Sequence, residues 1–170
     1  MPILKYFEPL ITHTAASSLE AGGLDPSTVD QVCCSHAHFD HIGDPAPFTG
    51  AEFLVGAGAP CISLTHRDMP GHVNLLARTS SDGGWVYLAG DSSHDWRIIT
   101  GEAKIAQFHD PGTDTHFCAH EDVEQTEEHF GRIRELRALP RVQVLLAHDG
   151  PWYKDNRGGA AFFPGHLPPL

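Results

Sequence analysis

Residues 35–44 read Ser-His-Ala-His-Phe-Asp-His-Ile-Gly-Asp, which places His36, His38, Asp40 and His41 within six positions. Imidazole is the commonest transition-metal ligand, and a neighbouring carboxylate adds an oxygen donor. Burying such a cluster is costly unless a cation organises it. The plain alternative is a solvated histidine-rich loop. The spacing itself has geometric content. On an extended segment, His36, His38 and Asp40 point to one side. If the chain turns near Asp40 to begin a helix, His41 faces a second, neighbouring ion. One short loop then supplies ligand sets for two metals.

Other elements must hold that loop in place. Gln31-Val32-Cys33-Cys34-Ser35 reads as a short strand running straight into the cluster. Before it, residues 15–23 read as a short helix closed by glycine. Asp25-Pro26-Ser27-Thr28 reads as a turn or N-cap with a helical half-turn. Residues 52–56 make another strand. Residues 73–78 and 85–89 make a strand pair, and the Asp82-Gly83 inside their linker is a hairpin signal. The clearest helix covers 122–138. Asp122 caps it, Gln125 completes a capping box, and Pro140 ends it. Along it Val123, Phe130, Ile133 and Leu136 or Arg137 keep helical spacing. Residues 142–146 read as a buried strand leading into Ala147-His148-Asp149, and the Gly- and Pro-rich tail after Trp152 is expected to wrap the surface. Strands alternating with helices, with histidines at strand ends, indicate an α/β layered domain.

Composition narrows the function. A chain of 170 residues that is 41% apolar suits one compact domain over 1–170 with a real core. Its 13 histidines outnumber the 11 lysines and arginines together, and the net charge is -11. That charge repels a nucleic-acid backbone and favours divalent cations. No apolar run approaches the ~20 residues of a membrane span, and Met1–Tyr6 lacks the apolar stretch of a secretory signal. Cys33, Cys34, Cys61 and Cys118 form neither a CxxC pair nor a disulfide framework. The expectation is a reduced, cytoplasmic protein acting on a small-molecule substrate. Neither nucleic acid nor membrane is expected as a partner, and a homodimer is left open.

A strand followed by His-x-His-x-Asp-His-x-Gly resembles the metal-binding signature of the metallo-β-lactamase superfamily. Further pieces follow in the family's order. Pro70-Gly71-His72, ahead of the strand at 73–78, resembles the segment that brings the third histidine. Asp91, in Leu88-Ala89-Gly90-Asp91-Ser92, matches the bridging aspartate, and His148, in Leu145-Leu146-Ala147-His148-Asp149, matches the last histidine. The flavour of both segments is similar to lactonase-like members. The resemblance implies a four-layer αββα sandwich, reduced here with missing strands. Only 35 residues precede His36, and the stretch between Gly58 and His66 is short. Family members often carry Pro-Gly-His-x-Pro-Gly-His with the first histidine as ligand. Here Asp68 stands four before His72, and His66 lies two earlier still. The third ligand is open: His72 first, His66 second, Asp68 third.

The same resemblance implies a dinuclear zinc-type hydrolase with two Zn2+ per chain, Mn2+ or Fe2+ being substitutes. His36, His38 and His72 would hold one metal, Asp40, His41 and His148 the other, and Asp91 would bridge them. A metal-bound hydroxide would open an ester, lactone, thioester or amide carbonyl. Asp40 would relay a proton to the leaving group, and His94 would hydrogen-bond the carbonyl or leaving oxygen. The alternative is a non-catalytic or degenerate metal-binding module, a truncated paralogue, with one ion or none. His109, His116, His120, His129 and His166 belong to no motif and are expected to be solvated or structural.

Overall fold

The computed structural model describes residues 12–57, 71–81, 83–118, 120 and 122–166. The chain runs α1 (Ala15–Ala21), a 3-10 turn at Pro26–Thr28, β1 (Gln31–Cys33), α2 (Phe39–Ile42), β2 (Glu52–Leu54), β3 (Leu75–Arg78) and β4 (Trp85–Leu88). It continues through α3 (Trp96–Thr100), β5 (Gln107–Asp110), β6 (Thr115–Cys118), α4 (Val123–Ala138), β7 (Val142–Leu145) and α5 (Gly150–Asn156). β1 and β2 pair in parallel. β3, β4 and β7 form a mixed sheet in that order, antiparallel then parallel, and β5 with β6 is an antiparallel hairpin. This is a mixed α/β architecture of small sheets.

The core lies between one face of the mixed sheet and the pair α3–α4. Ile99, Phe130 and Ile133 are fully enclosed, with Ala89, Ile105, Val144 and Leu146 around them. Full burial of side chains this size stabilises by roughly 1.5–3 kcal/mol each. The sheet register explains the sidedness. Leu76, Tyr87 and Val144 form one cross-strand row, and Leu75, Leu88 and Leu145 form the next. Successive rows face opposite sides of a pleated sheet. Val144 and Tyr87 meet the core, Leu76 of the outer strand stays open at 46%, and on the other face Leu75 and Leu88 keep 44% and 42% of their surface.

Local chemistry fixes the element ends. Thr14 and Ser17 form a reciprocal capping box at α1, and Asp25 accepts from the Ser27 N–H at the 3-10 turn. Asp122 accepts from the Gln125 N–H at 3.0 Å, starting α4 where the sequence places it. Three elements lie outside the sequence expectation. α3 opens on Asp95, which accepts from the Arg97 N–H, and closes on left-handed Gly101. The β5–β6 hairpin turns through Asp114 at φ 51. The tail after Trp152 continues as α5 to Asn156, instead of wrapping irregularly from Trp152 onward. Cys33, Cys34 and Cys118 are free thiols, and Cys61 lies outside the described residues.

Candidate metal centre

Strand register decides which loops meet. Leu88 of β4 pairs with Leu145 of β7, and Asp91 and His148 each lie three residues beyond. The ladder continues past the strand ends. Ala89 N–H donates to Leu145 O at 2.8 Å, and Ala147 N–H to Gly90 O at 3.0 Å. The two side chains therefore emerge side by side. His36 likewise lies three residues beyond the end of β1, and His72 lies three residues ahead of β3, whose first residue pairs with Leu88. Val73 N–H donates to Ser35 O at 2.8 Å, drawing the β3 loop onto the end of β1. Four loops thus gather at one edge of the sheets. Gly90 makes the approach feasible. It sits at φ +50, and a Cβ there would come 3.0 Å from His72 Nε2.

The first motif turns as its spacing suggests. His38 is the N-cap residue of α2, which carries Asp40 and His41 and stops at Gly43 with φ 64. His36 and His38 point into the protein and are buried. His36 Nε2 lies 2.7 Å from His38 Nδ1 and 3.5 Å from Asp91 Oδ2. On the other side, His41 Nε2 is 3.2 Å from Asp91 Oδ2, and His148 Nε2 is 3.2 Å from Asp91 Oδ1. Asp40 Oδ2 is 3.6 Å from both His41 Nε2 and His148 Nε2. His94, just ahead of α3, places its Nε2 3.3 Å from Asp91 Oδ2.

These donors fall into three overlapping groups whose ligand atoms lie within 4.8 Å of one another: His36, His38, Asp91; Asp40, His41, His148; and Asp91, His94, His148. His72 belongs to none of the three, although its ring centroid is 5.0 Å from that of His36. His66 and Asp68, the other candidates for its place, lie outside the described residues.

The electrostatics match a site built for cations. Burial and the neighbouring His41 push the His36 pKa down to about 4, so its imidazole is neutral at pH 7 and its lone pair is available. Burial pushes the Asp91 carboxyl up, but bonds from His148, His41 and His94 outweigh it and hold the group well below the usual carboxylate range. The Asp91 contact raises the His148 pKa, against the opposing effect of burial. The donor set of imidazole nitrogen and carboxylate oxygen suits zinc, and also manganese or iron. The His41 and His148 Nε2 atoms face each other at 3.2 Å, and the His36–His38 pair does the same. Each such pair shares at most one proton, whereas a cation between them satisfies both lone pairs. The residues fit a bound metal ion.

Sequence reasoning passed over two residues beside this site. His129, expected to be solvated or structural, lies with its Nε2 2.9 Å from Ser92 Oγ and 3.2 Å from Asn74 Nδ2. Asn74 Nδ2 also donates to the Tyr87 hydroxyl at 2.8 Å. A signal existed. His129 shares a helical face with Thr126, Phe130 and Ile133, the buried residues of α4. A second such residue is Asp149, which accepts from the Trp96 indole N–H at 2.5 Å and from the Trp152 N–H at 2.9 Å. Against His41 lies a mostly apolar cavity of about 370 Å³, walled by Val73, Leu75, Leu88, Leu145 and Trp152.

Among the described residues no helix is long and apolar enough to cross a membrane. The chain is similar to the cytochrome P450 monooxygenase mpaDE' of Penicillium brevicompactum. The two are 23% identical over 212 aligned positions, which cover 85% of this chain and 24% of that one. The chain therefore spans about a quarter of that relative's length. Residues 7–55, which hold His36, His38, Asp40 and His41, match the metallo-beta-lactamase superfamily, and the mixed α/β fold built around them is consistent with a reduced form of that superfamily's fold.

Proposed function

We propose that the chain is a two-metal hydrolase that opens an ester, lactone, thioester or amide carbonyl of a small molecule. One observation carries the reading. Asp91 stands between the two donor groups, its Oδ2 within 3.5 Å of both His36 and His41 and its Oδ1 3.2 Å from His148, where one carboxylate can serve an ion on either side. A zinc pair held there would supply an acidified water and a Lewis acid for the carbonyl. No serine or cysteine nucleophile is then needed.

The chain's own residues divide the remaining work by exposure. His36 and His38 are 3% and 7% exposed and serve as anchors. Asp40, with its side chain 32% exposed, stands where it can take a proton from water and pass it to the leaving group. The His94 side chain, 56% exposed beside Asp91, can donate to the carbonyl or leaving oxygen. The cavity against His41 falls in the roughly 300–1,000 Å³ range of small-molecule sites and suits an apolar part of the substrate.

Elemental analysis of the purified protein, with a lactone and thioester panel, tests the reading. Two zinc ions per chain and turnover of one substrate class are expected. One ion or none, with no turnover, would mark a closed structural site and replace the hydrolase by a binding module.

A further inference from the structure

We infer that Asn74, Ser92 and His129 form a positioning network that locks the His72 loop against the Asp91 loop and thereby sets the metal affinity of the centre. The inference rests on the metal-centre reading above. Asn74 lies two residues after His72, and Ser92 directly follows Asp91. Their side chains meet each other and His129. Asn74 Nδ2 is 3.1 Å from Ser92 Oγ, and Ser92 Oγ is 3.4 Å from Asn74 Oδ1. His129 Nε2 closes the triangle at 2.9 and 3.2 Å. Tyr87, on β4, holds the outer edge of the asparagine through its hydroxyl.

The third corner is rigid. His129 sits on α4, the 16-residue helix, beside Phe130, and both Phe130 and Ile133 are at 0% exposure. The helix therefore fixes one corner, and the two loops attach to it. Ser92 is 7% exposed, and its hydroxyl is surrounded by Asn74 and His129, so it is not available as a nucleophile for acyl transfer despite standing beside an imidazole. Withdrawing polar groups from water, as at buried Ser92 and half-buried Asn74, Tyr87 and His129, stabilises only if they are satisfied. Here each satisfies another, and what they fix is the spacing between Asp91 and His72. Groups that orient ligands from behind typically alter metal affinity 10–100-fold when removed.

Zinc titration calorimetry on the full chain tests this, using His129→Ala, Ser92→Ala and the conservative His129→Gln, with Co2+ spectra of the same proteins. We expect at least tenfold weaker zinc binding in His129→Ala and Ser92→Ala. Their cobalt bands should shift, and His129→Gln should recover most of the affinity because its amide still reaches Ser92 and Asn74. Should His129→Ala fail to fold, Ser92→Ala and His129→Gln carry the same comparison. If the folded variants bind zinc as the unaltered protein does, with unshifted cobalt bands, the network is packing alone and the inference is overturned. If the unaltered protein itself binds no zinc, the metal-centre reading falls and takes the inference with it.

Discussion

The two flanks of Asp91 are made differently. On one flank His36 and His38 are buried, and their rings pack edge to face at 4.4 Å. On the other, the side chains of Asp40, His148 and His94 keep 32%, 43% and 56% of their surface. A desolvated histidine pair binds a cation with little competition from water, whereas an open flank leaves room for a reacting molecule. The contrast separates holding from handling, and substitutions can be chosen to break it.

The largest effect is expected where the flanks join. Asp91→Asn removes the shared charge, so both ions should weaken and kcat should fall by orders of magnitude. Two bound ions and normal turnover in that variant would place Asp91 outside the site. Next comes the buried flank. His36→Ala with His38→Ala should empty one metal position and abolish hydrolysis, and full metal content by elemental analysis would refute its anchoring role. On the open flank His94→Ala should cut kcat about 100-fold, the lower range for acid–base groups, with two ions still bound. Lost metal in that variant would mean that the flanks are not divided as described.

A finer test concerns the third histidine. His72→Ala should weaken zinc at the buried flank at least tenfold, or ~1.4 kcal/mol, with His66→Ala costing much less. Damage from His66→Ala alone would move the ligand six residues upstream.

A separate test lies in the pH dependence of the metal-free protein. His36 is depressed from 6.5 to about 4, so between those values the unfolded chain binds its proton and the folded chain does not. The stabilising contribution is present above 6.5 and is lost as pH falls toward 4. Asp91 adds a loss of the same sign at lower pH, while the raised His148 opposes both. The thermal midpoint of metal-free protein should therefore drop between pH 7 and pH 4, and His36→Asn should flatten that drop. An equally steep drop in the variant would assign it to other groups.

Some of this arrangement was legible because its causes are local. Four ligand-type residues within six positions, Asp122 ahead of α4 and Pro140 behind it each act over one or two turns of chain. Strand existence could be read for 31–35, 73–78 and 85–89, although the strands are one or two residues shorter than expected. Pairing was not readable. Nothing near Val142 announces that β7 lies parallel to β4, yet that register brings His148 to Asp91. His129 is hidden for the same reason, since its partner Ser92 is 37 positions away. The α3 helix was missed although Asp95 and Gly101 mark both its ends, because Trp96–Thr100 is too short to show a period.

Asp149 has a consequence for motion. Its carboxylate holds the first turn of α5 through Trp152 and the first residue of α3 through the Trp96 indole. His94 immediately precedes the Asp95 cap of α3, and His148 immediately precedes Asp149. Separating the two helices breaks the Trp96–Asp149 bond, so that one contact couples the segments that carry His94 and His148.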